Sequence, residues 1–170
     1  MRVLSSKIDI DSWTGSRGIE GFSSSPMLLD ARIWKVSGDL HGPSGSSERG
    51  EWTILEDPWS QRLSIIDESE SMQKSPKIRS IEPPNGTWLD EGRLKLEISK
   101  IVEERRRGDS GEVSISGTVR SMLLEKWVLN IHTATIKHHR IFIPGWLINL
   151  DTDKILHGRN GRLYDLVSLK

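Results

Sequence analysis

Leu29-Asp30-Ala31-Arg32-Ile33-Trp34-Lys35-Val36 decides how this 170-residue chain folds. Leu29, Ala31, Ile33 and Lys35 alternate with Asp30, Arg32, Trp34 and Val36, the period-two signature of a strand with one buried face. The same alternation recurs on both sides. Trp52-Thr53-Ile54-Leu55 and Leu63-Ser64-Ile65-Ile66 read as further short strands, bounded by Gly50, Pro58 and acidic residues. Downstream, Leu94, Leu96 and Ile98 alternate with Arg93, Lys95 and Glu97. After a polar tip from Arg105 to Gly111, Val113, Ile115, Gly117 and Val119 alternate with polar residues, and the whole predicts a β-hairpin turning at Gly108 and Gly111. Good helix formers over Ser121 to Leu129 predict a short helix. Strands follow at Thr133–Ile136, Arg140–Ile143 and Trp146–Leu150, with turns at Pro144-Gly145 and Asp151-Thr152-Asp153, then a last strand pair around Gly158–Gly161 and a C-terminal strand at Leu163–Leu169.

The fold class expected is therefore α+β and β-rich, one twisted, mainly antiparallel sheet with one or two short helices. Residues 1–26, with Gly15, Gly18, Gly21 and the Ser23-Ser24-Ser25-Pro26 run, read as a flexible N-terminal arm, and 27–170 as a single domain. Two stretches rich in Ser, Gly, Pro and charge, 38–50 and 67–86, read as exposed loops.

Composition removes several kinds of chemistry. With no cysteine there is no disulfide framework, no thiol nucleophile and no thiolate metal site. Met1 to Trp13 has no continuous apolar run, so secretion is not expected. The 24 basic and 24 acidic residues balance. They are unevenly placed: residues 1–90 hold 10 basic and 14 acidic side chains, and residues 91–170 the reverse. Such a dipolar chain would favour head-to-tail contacts between copies.

Motifs for catalysis are weak. His132, His138 and His139 with Asp151 and Asp153 are the cluster with metal-ligand chemistry, but neighbouring strand residues point to opposite faces and no ligand spacing motif occurs. There is no Gly-x-Ser-x-Gly elbow and no phosphate loop followed by a helix, so no catalytic, cofactor or metal residue is assigned. Two cationic groups remain as candidates for anionic lipid or nucleic acid: Arg105, Arg106 and Arg107 on the expected hairpin tip, and Lys126, Lys137, His138, His139 and Arg140 interleaved with Trp127, Ile141, Phe142 and Trp146. Trp127 and Trp146 read as core residues first, because seven Trp against two Phe and one Tyr must supply most of the aromatic interior.

The order of hairpin, short helix and strands over residues 90–170, with the ending Gly161-Arg162-Leu163-Tyr164-Asp165-Leu166-Val167-Ser168-Leu169-Lys170, resembles the matrix proteins of rhabdoviruses, in the short form of plant-infecting, cytorhabdovirus-like members. The chain departs from animal-virus members. Its first 26 residues hold only Arg2, Lys7 and Arg17 as basic residues, and the Pro83-Pro84-Asn85-Gly86 run lacks the tyrosine of their budding motif. The resemblance implies a non-enzymatic virion protein, located in the virion and host cytoplasm, that self-associates, condenses the viral nucleocapsid and links it to an anionic membrane, with RNA among its contacts. A viral accessory or movement protein binding single-stranded nucleic acid or host factors is the alternative.

Overall fold

The computed structural model describes residues 1–67, 70–109 and 126–166. The second arm of the expected hairpin, most of the short helix expected over 121–129 and the last four residues lie outside them. The protein is β-rich, with one open mixed sheet and two α-helices among the described residues. In chain order the elements are β1 (Arg2–Leu4), α1 (Ile10–Ser16), β2 (Ser23–His41), β3 (Ser47–Asp57), β4 (Arg62–Ile65), β5 (Met72–Lys74), β6 (Ser80–Ile81), α2 (Glu91–Asp109), β7 (Val128–Leu129), β8 (Thr135–Asn149), β9 (Asp153–His157) and β10 (Leu163–Asp165).

The long strands β2 and β8 pair antiparallel from Ser23↔Asn149 to Ser37↔Thr135 and form the spine of the sheet, whose main order is β10-β9-β8-β2-β3-β4. Because each strand alternates, the spine has two faces with separate contents. One carries Met27, Leu29, Ala31 and Ile33 of β2 with Ile141 and Ile143 of β8, buried under Leu4, Trp59 and Ile66. The opposite face is covered at one end by α2, over Val36, Leu40 and Ile54, and at the other by α1, over Ile148 and Leu156.

Four expectations are corrected. The alternation at 93–98 is helical: in α2, Leu94, Ile98 and Val102, spaced four apart, are buried, whereas Leu96 is 67% exposed. Asp90 starts this helix, its Oδ1 accepting from the Arg93 N–H at 2.8 Å. The first 26 residues are no loose arm. Leu4 is buried in the core, the Asp9 side chain caps α1, and the buried Trp13 donates from Nε1 to the Gly161 carbonyl at 3.0 Å. The stretch 38–50 is mostly strand, a β2–β3 hairpin closed by the short turn Gly42–Ser46. Pro144-Gly145 makes no turn, and β8 runs straight through it. Leu28, opposite Pro144, directs its N–H to the Arg79 carbonyl on its other side, so that pair needs no proline N–H. At Gly145 a Cβ would come within 2.9 Å of the Leu156 carbonyl oxygen.

The stretch 67–86 carries only the short strands β5 and β6 among its described residues, in keeping with a largely irregular segment. Basic β8, from the second half of the chain, pairs along its length with β2, in which Asp30 and Asp39 balance Arg32 and Lys35.

Candidate anion-binding face

The pair that looks most catalytic is committed to structure. His157, 1% exposed, has its Nε2 2.8 Å from Asp57 Oδ2. Its Nδ1 accepts from the backbone N–H groups of Arg159 and Asn160, both at 3.1 Å, so the imidazole has no nitrogen left for a substrate. Asp57 also accepts from the Trp59 and Ser60 N–H groups and the Ser60 hydroxyl. Burial pushes its carboxyl up, but the hydrogen bond from His157, with the Ser60 bonds, holds it below the ordinary carboxylate value. The pair ties the β3–β4 turn to the β9–β10 turn across the sheet. Nearby, Arg159 grips Glu70 through two bonds of 3.1 Å, which hold that carboxyl below its usual range.

Farther along the same face the chemistry reverses. Beyond Ile33 the inward row of β2 becomes polar at Lys35, which lies in register with Lys137 of β8. His139 sits opposite Ile33 on this face, and β1 brings Arg2 close enough to His139 for their charges to interact. β5 places Lys74 directly opposite Arg2. Lys74, Arg2, His139, Lys137 and Lys35 thus form an exposed cationic stripe across four strands, and none has a carboxylate partner among the described residues. In two of its pairs, Arg2 with Lys74 and Lys35 with Lys137, like-charged residues stand directly opposite in register, an arrangement unfavourable to a sheet. His139 registers this field. Partial burial first, then the charges of Lys35, Arg2 and His138, lower its pKa from the ordinary 6.5.

The residues expected to bind anions are divided by this geometry. Lys137 and His139 belong to the stripe, while His138 and Arg140 point to the other face. There His138 stacks on Trp34, ring centroids 4.5 Å apart, and Arg140 bonds both oxygens of Asp30 at 2.8 Å. Arg105, Arg106 and Arg107 are not a hairpin tip but lie near the C-terminal end of α2, where helical rotation separates them. Arg105 pairs with Asp67 at 3.4 Å and lines a groove with Lys35 and Lys137. Arg106 bonds Glu48 through two contacts of 2.9 and 2.8 Å and stacks 4.1 Å from the Trp127 ring, so it fastens α2 to the β2–β3 hairpin. Arg107 is half-buried. Lys126 is exposed, but Trp127 beside it is buried against Gly42, so that ring is not available for stacking on a ligand. Trp146 is half-buried beneath α1.

Arg2, Lys35 and Lys74 were missed by inspection of the sequence. Lys35 has a legible signal, since it interrupts an apolar alternation at an inward position. Arg2 and Lys74 have none, because only the pairing of β1 with β5 and β8 brings them to the stripe. His132 lies on a separate cleft beside α2, and no three His, Asp or Glu among the described residues form a metal-holding group. No family model, curated protein or solved structure matches this chain.

Proposed function

We propose that this protein is a non-enzymatic, matrix-like structural protein of a virion that docks on an anionic membrane surface and connects it to the nucleocapsid. The observation that carries this is the cationic stripe: Arg2, Lys74, Lys35 and Lys137 gather on one exposed sheet face without an ion-pair partner among the described residues, and an external anion can answer them. A sheet face suits a flat, repeating array of anions better than a single small substrate. The saturation of His157 and Asp57 supports a non-enzymatic role. No helix among the described residues is long and apolar enough to cross a membrane, so contact through this face would be peripheral. Self-association is supported by the open edges at the two ends of the main strand order, β4 and β10, whose unpaired backbone groups can accept a neighbouring copy.

Co-sedimentation with vesicles tests the proposal. The protein is expected to pellet with phosphatidylserine-containing vesicles and not with neutral phosphatidylcholine, with binding that weakens steeply as salt rises. Lys35→Glu with Lys137→Glu is expected to abolish it. Failure of the wild-type protein to pellet, together with a salt-sensitive gel shift on single-stranded RNA, would overturn the membrane assignment in favour of the accessory, nucleic-acid-binding role.

A further inference from the structure

At its far end the cationic stripe opens into a groove of about 510 Å³. Register places six side chains there in two rows on one face, Thr53–Lys35–Lys137 and Glu51–Ser37–Thr135. Rows of one face are separated by roughly 7 Å, and cross-strand neighbours by about 5 Å. Lys35, Lys137, Ser37 and Thr135 therefore mark the corners of a patch the size of one tetrahedral oxyanion. Lys35 Nζ donates to Thr53 Oγ1 at 2.9 Å, and an Arg49 guanidinium nitrogen donates to Ser37 Oγ at 3.2 Å. Both hydroxyl oxygens are thus used as acceptors, leaving their hydrogens to be donated outward, and the Thr135 hydroxyl, unlike its ladder-paired backbone, has no hydrogen-bond partner among the described residues. Glu51 stands directly opposite Ser37 and diagonal to Lys35, its carboxylate bonded to neither, and is the acceptor at the edge of the patch. The other lining carboxylate, Asp67, is held by Arg105.

Two ammonium groups with three hydroxyl donors make a site rich in donors and poor in acceptors. A phosphodiester offers it one negative charge and two free oxygens. A terminal phosphomonoester offers up to two charges and three oxygens, enough to answer both opposed lysines at once. We infer that this groove is a subsite for the terminal phosphomonoester of a lipid headgroup, so that within an anionic membrane the protein selects phosphomonoester lipids over phosphodiester lipids of equal charge. This inference rests on the membrane-docking function proposed above and names the lipid class that function uses.

The test is binding of the full chain to two sets of phosphatidylcholine vesicles matched in surface charge, one containing phosphatidic acid and the other phosphatidylserine. About tenfold tighter binding to the phosphatidic acid vesicles is expected, the scale of one or two charge-assisted hydrogen bonds. Ser37→Ala with Thr135→Val keeps both lysines and is expected to erase this preference while phosphatidylserine binding persists. Inorganic phosphate is expected to compete better than sodium chloride of equal ionic strength. Equal binding to both vesicle sets, or a preference that survives the hydroxyl deletions, would overturn the subsite and leave the membrane function standing. Binding to neither set would overturn the membrane function itself. Tighter binding to 5′-phosphorylated single-stranded RNA than to either vesicle would place the phosphomonoester on nucleic acid and so overturn the lipid assignment.

Discussion

One face of the central sheet holds two regions that treat charge in opposite ways. In the closed half, around Asp57, His157, Glu70 and Arg159, each ionisable group is answered from within the chain, His157 through both ring nitrogens and Glu70 through two guanidinium contacts. In the open half, Arg2 faces Lys74 and Lys35 faces Lys137, and none of the four is ion-paired among the described residues. The same spine strands run through both halves, so backbone geometry does not cause the difference. Charge satisfied internally holds turns in place, and charge left unsatisfied on a regular surface is available to a partner.

The largest effect expected on breaking this contrast lies in the closed half. Asp57→Ala strands His157 Nε2 and the N–H groups of Trp59 and Ser60 in a buried site, and is expected to cost about 3 kcal/mol of unfolding free energy, read as a fall in the urea midpoint. Vesicle binding by the remaining folded protein should be unchanged. The pair also sets an acid limit. Because the folded Asp57 carboxyl lies below its ordinary value, its contribution is fully present above about pH 4 and is lost as pH falls through the folded value. Asp57→Asn, less stable at neutral pH, should lack that acid-dependent loss. An equal slope in wild type and variant would show that the pair does not carry it.

The open half should respond in the opposite direction. Replacing Lys35 and Lys137 together by threonine removes a directly opposed like-charge pair and inserts a good strand former. The variant is expected to be slightly more stable, read as a rise in the urea midpoint, while losing anion binding. That combination separates a functional surface from a structural one, since a structural ion cluster loses stability when it is deleted. A double variant that is both less stable and still able to bind vesicles would erase the distinction between the halves.

How much of this was legible in the sequence depends on whether the informative contact is local. Leu29, Ala31 and Ile33 announce β2 because strand alternation is written in consecutive residues, and Lys35 marks where its inward row turns polar. The triplet Leu94, Leu96, Ile98 is ambiguous by itself, because positions four apart satisfy both periods. Val102, a further four residues on, resolves it as the helix that covers Val36, Leu40 and Ile54. That helix also removes the first arm of the hairpin on which the resemblance to matrix proteins partly rested. Residues 1–26 misled through their glycine and serine content, while Ile8, Ile10, Trp13, Ile19 and Phe22 supply enough apolar surface to fasten them down. The stripe was half visible. Lys137 and His139 sit in an evident strand, but their partners Arg2 and Lys74 arrive from segments whose pairing no local pattern encodes.

The smallest and most specific effect expected is at His139, on the border between the halves. The groups that act on it are cations or a second imidazole: Lys35 from β2, Arg2 from β1 and His138 beside it, with partial burial acting the same way. Since its folded pKa lies below the ordinary 6.5, the unfolded chain takes up the proton first, and the stability that neutral His139 affords is lost as pH falls through that value. An anion seated on Lys35 and Arg2 screens the repulsion and raises the pKa again, so binding must take up a proton. Sulfate is the suitable probe, because it remains a dianion between about pH 5 and 8, where histidine titrates. Sulfate should stabilise the wild-type protein against heat more at the acid end of that range than at the alkaline end. His139→Gln should retain the sulfate effect and lose most of its pH dependence. A pH dependence that persists in His139→Gln would mean that the anion sits elsewhere, and the open half would then lack the ligand that its unpaired cations call for.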